Sequence, residues 1–210
     1  PIFDANPQKS GNDSSYQFCK EVVMKHKGIL GLLLSAAFVL GACASLEKVA
    51  TLEQKKDVAG LFKLYCDGGG EISKAAEKAF LNQGAAATGF LKQEFNKKQD
   101  DPYRRLYLLL ISGETGDSSL VAPMYALLAQ HRKDYQLQLS GEIALTNLAR
   151  KNPAGSPLYY VMKAYADKPE TMEAIKAGCD ITKAGISGET PLKYAQKKSY
   201  TEIVKWLQAH

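Results

Sequence analysis

The chain has 210 residues, with 27 Lys and Arg against 22 Asp and Glu, so its formal net charge is +5. This balance is mild, and the sequence has no dense Lys and Arg face with interleaved aromatic residues, which argues against a dedicated nucleic-acid-binding protein. Hydrophobic residues make up 45% of the sequence, and the length suffices for one sizeable core or a short array of repeats.

The first 23 residues are rich in Asn, Asp, Ser, Gln and Pro, a composition that does not build a hydrophobic core. A Met follows them at position 24. We interpret residues 1–23 as translated sequence upstream of a start at Met24 or, alternatively, as a disordered extension. They are left out of the fold prediction on either interpretation.

An apolar run extends from Gly28 to Ala44, directly after the basic cluster Lys25, His26 and Lys27. About 20 residues are needed to cross a bilayer core, so the run is short for a membrane span. A basic start, an apolar stretch and a small-residue cleavage site are typical of a secretory signal peptide. The pattern predicts a signal peptide over 24–42, and an ordinary buried helix is the alternative.

The end of this run, Leu40-Gly41-Ala42-Cys43, resembles the lipobox of bacterial lipoproteins. The resemblance implies cleavage between Ala42 and Cys43 and attachment of a diacylglycerol to the Cys43 thiol. Lipid chains contribute about 0.8 kcal/mol per buried CH₂, so several chains anchor a protein without a spanning helix.

The residues after the lipidated Cys guide sorting in this family, and an Asp there retains the protein in the inner membrane. Ala44 and Ser45 carry no such signal. The resemblance therefore implies the periplasmic face of the outer membrane, with the inner membrane and the cell surface as alternatives.

The mature chain that this cleavage would leave begins at Cys43. Besides Cys43 it contains two cysteines, Cys66 and Cys179, and the sequence leaves open whether they form a disulfide. Neither belongs to a CxxC pair, and the mature histidines are His131 and the terminal His210. No metal site and no cofactor are predicted from this distribution.

Helical periodicity dominates the mature chain, and strand signals are nearly absent. Gly-rich stretches, Asn82-Gln83-Gly84 and several prolines separate the predicted helices. These helices cover Leu46–Tyr65, Ile72–Leu81, Ala85–Phe95, Pro102–Ile111, Ser118 or Ser119 to Gln130, and Tyr135–Ala149. The prediction is an all-α fold.

Two similar helix starts, Asp101-Pro102-Tyr103 and Lys133-Asp134-Tyr135, lie about 32 residues apart, an interval typical of stacked helix pairs. The region 43–151 thereby loosely resembles HEAT-type repeats. Worn ankyrin-like helix pairs and a helical bundle without repeats are the alternatives for this region.

The segment Gly178–Leu207 resembles an ankyrin repeat through "GCDI", "GETPLKYA" and "SYTEIVKWL". The residue types have physical reasons. Thr190 can cap a helix that Pro191 begins, and Asp180 can accept hydrogen bonds within a turn. Gly188 can adopt a backbone conformation that other residues avoid.

A degenerate copy precedes it in "GSPLYYVMKAYADKPETMEAIKAG", where Pro157 stands 34 residues before Pro191. Pro169 is predicted to begin the second helix of this copy. Two such units, 152–210, are fewer than a stable array needs, so we expect them to stack on the upstream helices. The predicted architecture is a short α-solenoid of antiparallel helix pairs with ankyrin-type repeats at the C-terminus.

No catalytic motif is recognisable. His131 falls at a polar helix end, and the Gly-rich "CDGGGE" and "SGETGD" lack the Lys and Ser or Thr of a phosphate loop. The acid pairs Asp100 with Asp101 and Glu114 with Asp117 are predicted to be helix caps or solvated surface. The chain is therefore not predicted to be an enzyme.

The prediction is a lipid-anchored periplasmic protein whose repeat domain binds another protein. The ankyrin resemblance implies that the finger tip and the first helices face the partner. This places Lys183, Ala184, Ile186, Ser187, Lys193, Tyr194, Tyr159 and Tyr160 at the binding surface, although one Tyr of the pair can instead pack in the core.

Two alternatives for the function remain. One is an immunity or inhibitor protein that caps a periplasmic toxin or enzyme. The other is an envelope enzyme or small-ligand-binding protein with a pocket in the helical region.

Overall fold

A computed structural model describes residues 46–210. Val49–His210 forms one compact unit, and residues 46–48 belong to the unit before it. The predicted signal peptide over 24–42, its cleavage site at Ala42 and Cys43, and the predicted lipidation of Cys43 lie outside the described residues.

The described part of the chain is built from helices, with one isolated β-bridge between Pro157 and Asp180, which confirms the all-α prediction. Residues 46–54 are helical. The helices that follow are α1 Val58–Asp67, α2 Gly70–Leu81, α3 Ala85–Phe95, α4 Pro102–Thr115, α5 Val121–Gln130, α6 Tyr135–Lys151, α7 Leu158–Tyr165, α8 Pro169–Lys176, α9 Pro191–Lys197 and α10 Thr201–Ala209; a 3₁₀ turn, Ser118–Leu120, precedes α5.

The predicted continuous helix Leu46–Tyr65 is wrong, because the chain breaks at Lys56 and Asp57. Lys56 has a positive φ of 54°, outside the helical region. The Asp57 side chain then accepts a hydrogen bond from the Gly60 amide at 2.8 Å and starts α1. A capping Asp thus overrides the helical pattern that runs across it.

Local signals set most other helix ends. Asp101, Asp134 and Thr190 cap α4, α6 and α9 with their side chains, and Pro102, Pro169 and Pro191 stand in the first turns of α4, α8 and α9. The helix α4 extends beyond the predicted end at Ile111 to Thr115, where Gly116 adopts a left-handed conformation with φ 69°.

Helices α4 and α6 pack side by side and run in the same direction. Near their starts Arg105 approaches Asp134 at 3.9 Å, and near their ends Lys151 pairs with Glu114 at 2.8 Å. A Cβ atom at Gly113 would lie 2.4 Å from the Ala144 carbonyl oxygen. Only glycine permits this close approach of the two helices.

The first part of the core is a phenylalanine cluster, which we define as Phe62, Phe80 and Phe90 of α1, α2 and α3. Their ring centroids lie 5.4 to 6.0 Å apart. The Arg104 guanidinium lies over the Phe62 ring at 5.2 Å from its centroid and also pairs with the buried Glu94. Apolar burial and this cation together tie α4 to the first three helices.

The C-terminal helices form two consecutive pairs, α7 with α8 and α9 with α10. The Tyr159 and Tyr194 rings join α7 to α9 at 5.0 Å between centroids. The loop after α8 lies along the start of α7, where the Leu158 amide donates to the Asp180 carbonyl oxygen at 2.8 Å. None of the helices in the described part of the chain is long and apolar enough to cross a membrane.

Candidate protein-binding groove

A loop between α8 and α9, residues 182–189, forms what we call the finger. A turn around Asp180 leads into the finger. The Asp180 carboxylate accepts hydrogen bonds from the Thr182 amide, the Thr182 hydroxyl and the Lys183 amide. The finger closes where the Gly188 amide donates to the Gly185 carbonyl oxygen at 2.9 Å, with Gly188 at φ 82°. The structure confirms both predicted turn residues, Asp180 and Gly188.

Three tyrosines hold the finger against the helices. The Tyr125 hydroxyl of α5 donates to the Ala184 carbonyl oxygen at 2.7 Å, and the Tyr160 hydroxyl of α7 accepts from the Ile186 amide at 3.1 Å. The Tyr159 ring packs on Gly185, where an added Cβ would lie 2.4 Å from a ring carbon. The finger is therefore fixed at three successive positions.

These tyrosines belong to a tyrosine ladder, which we define as five rings in edge-on or tilted contact from α5 to the start of α10. Neighbouring centroids lie 5.0 to 6.4 Å apart. Edge-on aromatic pairs add stabilisation beyond their buried area. The ladder runs in the order Tyr125, Tyr160, Tyr159, Tyr194, Tyr200.

Burial favours the neutral phenol at two tyrosines of the ladder, Tyr160 and Tyr125. It raises the pKa of Tyr160 far above its usual value, and the neighbouring Tyr125 and Glu142 raise it further. Burial likewise raises the pKa of Tyr125. The protonated Tyr125 hydroxyl donates to the finger, while the Tyr160 hydroxyl accepts from it.

A groove of about 500 Å³ lies between the finger and the helices α5 and α6. Its rim is exposed at Ala129, Arg132, Ser187 and Gly188, and its floor includes the buried Leu128. The remaining residues that line it are Tyr125, Gln138, Lys183, Ala184, Gly185 and Ile186.

The groove carries positive charge. Arg132 projects from the turn between α5 and α6, and Lys183 comes from the finger. Neither side chain forms an ion pair within residues 46–210. The Lys183 ammonium instead lies 4.8 Å from the centroid of the Tyr125 ring. Among the described residues that line the groove, none is Asp, Glu, His or Cys.

The structure brings four predicted binding residues, Lys183, Ala184, Ile186 and Ser187, to this one groove. Lys193 is exposed on α9, outside the groove, and Tyr194 is half-buried against Tyr159. These two residues therefore do not share a surface with the finger residues that line the groove.

The expectation that Tyr159 and Tyr160 face a partner is corrected. Both are buried, with exposed fractions of 4% and 0%. The sequence analysis allowed one of them to enter the core, and both do, because the finger covers Tyr159 while α5 covers Tyr160. Their role at this site is to position the finger.

Sequence reasoning missed the wall of the groove that α5 and α6 supply. Tyr125 lies 59 residues before its hydrogen-bond partner Ala184, and no local pattern connects the two. Arg132 stands in the polar "AQHRKD" stretch, which reads as an ordinary helix end. Its place in the groove depends on the long-range packing of the finger.

The other candidate residues have structural roles. Cys66 and Cys179 are free thiols, so the disulfide is not formed. Burial raises the pKa of Cys66 to about 12 and that of Cys179 to about 11, which leaves both thiols protonated at neutral pH. Within residues 46–210, no group of Asp, Glu, His and Cys is arranged to hold a metal ion.

The acid pairs are caps and surface ion pairs, as predicted. Asp101 and Asp117 accept hydrogen bonds from the Tyr103 and Ser119 amides. Asp100 pairs with Lys98, and Glu114 pairs with Lys151. Glu114 and Asp117 also line a smaller groove of about 310 Å³. Within this groove Glu114 remains paired with Lys151, and Asp117 remains hydrogen-bonded to Ser119.

One further surface feature is a stripe on α6. Tyr135, Leu139 and Ile143 follow one another at intervals of four residues, which places them on one helix face. Their exposed fractions are 74%, 45% and 46%. None of the residues predicted to bind a partner lies on this stripe.

Comparisons with known proteins return no match to a family model, to a curated protein or to a solved structure. The fold and the groove must therefore be interpreted from the geometry of this chain itself.

Proposed function

We propose that this chain is a periplasmic lipoprotein, anchored through Cys43, whose helical domain binds another protein in the groove beneath the finger. The observation that carries the proposal is the fixed position of the finger. Two tyrosine hydroxyls and a ring hold it over about 500 Å³ of open groove. A loop held in one conformation loses little entropy on binding, so it suits recognition.

The helix arrangement supports a repeat protein. The parallel contact of α4 with α6 and the Tyr159–Tyr194 contact of α7 with α9 both join helices one repeat interval apart. Stacked helix pairs expose loops along one side, and repeat proteins bind partners there. An α-solenoid with ankyrin-type units at its end accounts for both contacts.

The chemistry of the groove favours binding over catalysis. The titratable side chains among its described lining residues are Tyr125, Arg132 and Lys183. General acid–base catalysis needs a group that exchanges protons near neutral pH, and burial moves the Tyr125 pKa away from that range. The groove therefore suits recognition better than proton transfer.

An immunity or inhibitor protein is a narrower form of the same proposal, in which the partner is a periplasmic toxin or enzyme. It predicts a tight stoichiometric complex whose formation abolishes the partner's activity. A protein that only holds its partner in place would bind without inhibiting it. An activity assay of the partner, with and without this chain, therefore separates the two possibilities.

The anchor is tested by Cys43→Ser in cells that process lipoproteins. We expect this variant to lose acyl labelling and to leave the membrane fraction, since its attachment would depend on lipid. Unchanged membrane association would contradict the lipoprotein part of the proposal and would leave the groove untouched.

Protein binding is tested by placing the photo-cross-linking residue benzoylphenylalanine at Ser187 of the full chain in living cells. Ser187 is exposed on the groove rim, and Glu170, exposed at the start of α8, is the matched control position. We expect a discrete adduct of protein size from Ser187 alone. No adduct, or the same adducts from both positions, would contradict the proposal.

A further inference from the structure

We infer that the groove binds an acidic segment of the partner protein, whose carboxylates pair with Arg132 on one wall and Lys183 on the other. This inference rests on the proposed function and deepens it by naming the chemistry of the partner. Four observations carry it: the two cations, the occupied acceptors, the engaged acid nearby and the apolar floor.

The two cations are available. Arg132 is exposed, and Lys183 is held over the Tyr125 ring instead of a carboxylate. By contrast, Lys163 pairs with Glu142 and Lys197 pairs with Glu189. Arginine presents a planar fork of donors that matches a carboxylate.

Some carbonyl oxygens at the groove already accept hydrogen bonds from protein side chains. The Gln138 side-chain amide donates to the Leu128 and His131 carbonyl oxygens at 2.9 and 3.2 Å. The Tyr125 hydroxyl donates to the Ala184 carbonyl oxygen. Two carbonyl oxygens of the groove lining, those of Leu128 and Ala184, thus have protein donors, and the charged side chains of the lining, Arg132 and Lys183, are both positive.

Asp180, at the base of the finger, forms no ion pair with Lys183. The Asp180 carboxylate accepts three hydrogen bonds from Thr182 and Lys183 at the base of the finger. These bonds and the Lys183 charge hold its pKa below the usual range against the opposing effect of burial. Asp180 is thereby committed to the turn, and the Lys183 ammonium stays free for a ligand.

The floor of the groove indicates a peptide. Leu128 and Ile186 are apolar residues of the groove lining. An extended acidic segment with an apolar side chain among its acids can fill this floor while its carboxylates reach both walls. A flat lipid surface would contact the exposed rim alone, so the concave shape favours a protein segment.

The test pans a random twelve-residue peptide display library against the purified full chain in detergent. We expect enrichment of Asp and Glu in the bound peptides. The double variant Arg132→Glu with Lys183→Glu should lose this enrichment and bind an enriched acidic peptide about tenfold more weakly. The weakening should diminish at high salt, because ions screen the charges.

A matched control changes the same net charge outside the groove. The control is the double variant Lys133→Glu with Lys193→Glu. Lys133 lies next to Arg132 and Lys193 lies on α9; both side chains are exposed, and neither lines the groove. This control should keep the enrichment and the affinity. A cooperative thermal unfolding transition in each of the two double variants would show that both are folded.

Peptides without acidic bias, or an acidic bias that the groove variant keeps, would overturn the inference. Binding to vesicles of anionic phospholipid that the groove variant loses, without peptide enrichment, would overturn it in favour of lipid. The proposed function fails separately, through the absence of a Ser187 adduct. An adduct that survives in the groove variant would leave protein binding intact and refute the acidic partner.

Discussion

The phenylalanine cluster of α1 to α3 and the tyrosine ladder of α5 to α10 are both aromatic cores, yet they do different work. The cluster rings pack at 5.4 to 6.0 Å, and their side chains carry no polar atom. The ladder rings pack at 5.0 to 6.4 Å, but hydroxyls of the ladder also reach the backbone of the finger.

This difference separates stability from positioning. The phenylalanine rings contribute through burial, ring contacts and the Arg104 cation, and they form no hydrogen bond to a loop. A buried tyrosine contributes similar area and adds a directional hydrogen bond. The C-terminal region therefore uses its core to hold the finger in place, while the N-terminal part of the described chain stabilises the fold.

The largest effect is expected from Phe62→Ala. Phe62 is fully buried at the centre of the cluster, so its removal leaves a cavity and should lower the free energy of unfolding by about 3–5 kcal/mol. Urea denaturation followed by circular dichroism measures this loss. Tyr103→Ala, at a residue that is 71% exposed, is the control and should change stability by less than about 0.5 kcal/mol. Similar losses in both variants would contradict the packing.

Glu94→Gln is expected to have the next largest effect. Glu94 is buried and pairs with Lys97 and with Arg104, so removal of its charge should cost about 2 kcal/mol at pH 7. Glu71→Gln, in an exposed pair with Lys74, should cost much less.

The pH dependence of this effect sharpens the test. Burial opposes ionisation of Glu94, but the bonds from Lys97 and Arg104 prevail and hold its pKa below the usual range. Its contribution is therefore complete above the unfolded pKa of about 4.3 and is lost as the pH falls through the lower folded pKa. The stability gap between Glu94→Gln and the unaltered chain should narrow in acid, and an unchanged gap would refute this role.

Tyr160→Phe tests positioning directly. The variant keeps the ring but removes the acceptor of the Ile186 amide, at an expected cost of about 1–2 kcal/mol. Hydrogen exchange of the finger amides should accelerate, while exchange in α1 to α3 stays unchanged. Tyr135→Phe, at an exposed tyrosine, should change neither quantity. Uniform acceleration across the chain would show that Tyr160 acts as ordinary core.

The smallest effect is expected from Thr190→Ala, which removes the cap of α9. Its hydroxyl accepts from the Lys193 amide at 3.3 Å, so the loss should be about 1 kcal/mol. Lys193→Glu should instead stabilise α9 slightly, because Glu at this position completes a capping box with Thr190. Thermal unfolding of both variants checks that the first substitution lowers the unfolding temperature and the second raises it.

Local features of the fold were predictable because their causes are local. Capping by Thr190, the helix starts at Pro169 and Pro191, and the turn at Asp180 each depend on residues within a few positions. The break at Lys56 was missed because its signal is a single Asp inside a helical pattern.

The groove could be predicted only in part. The ankyrin pattern identifies the finger, and the four finger residues predicted to bind a partner do line the groove. The opposite wall depends on contacts such as Tyr125 with Ala184, which no interval in the sequence encodes. The same contacts bury Tyr159 and Tyr160, whose sequence alone fits either a surface or a core.

The central claim is that a finger held by tyrosines forms a protein-binding groove. Its most direct measurement is the photo-cross-linking yield from Ser187 in the unaltered background and in the Tyr125→Phe, Tyr160→Phe double variant. We predict a discrete adduct in the former and a severalfold lower yield in the latter, with the chain still folded. Equal yields in both backgrounds, or no discrete adduct in either, would contradict the claim.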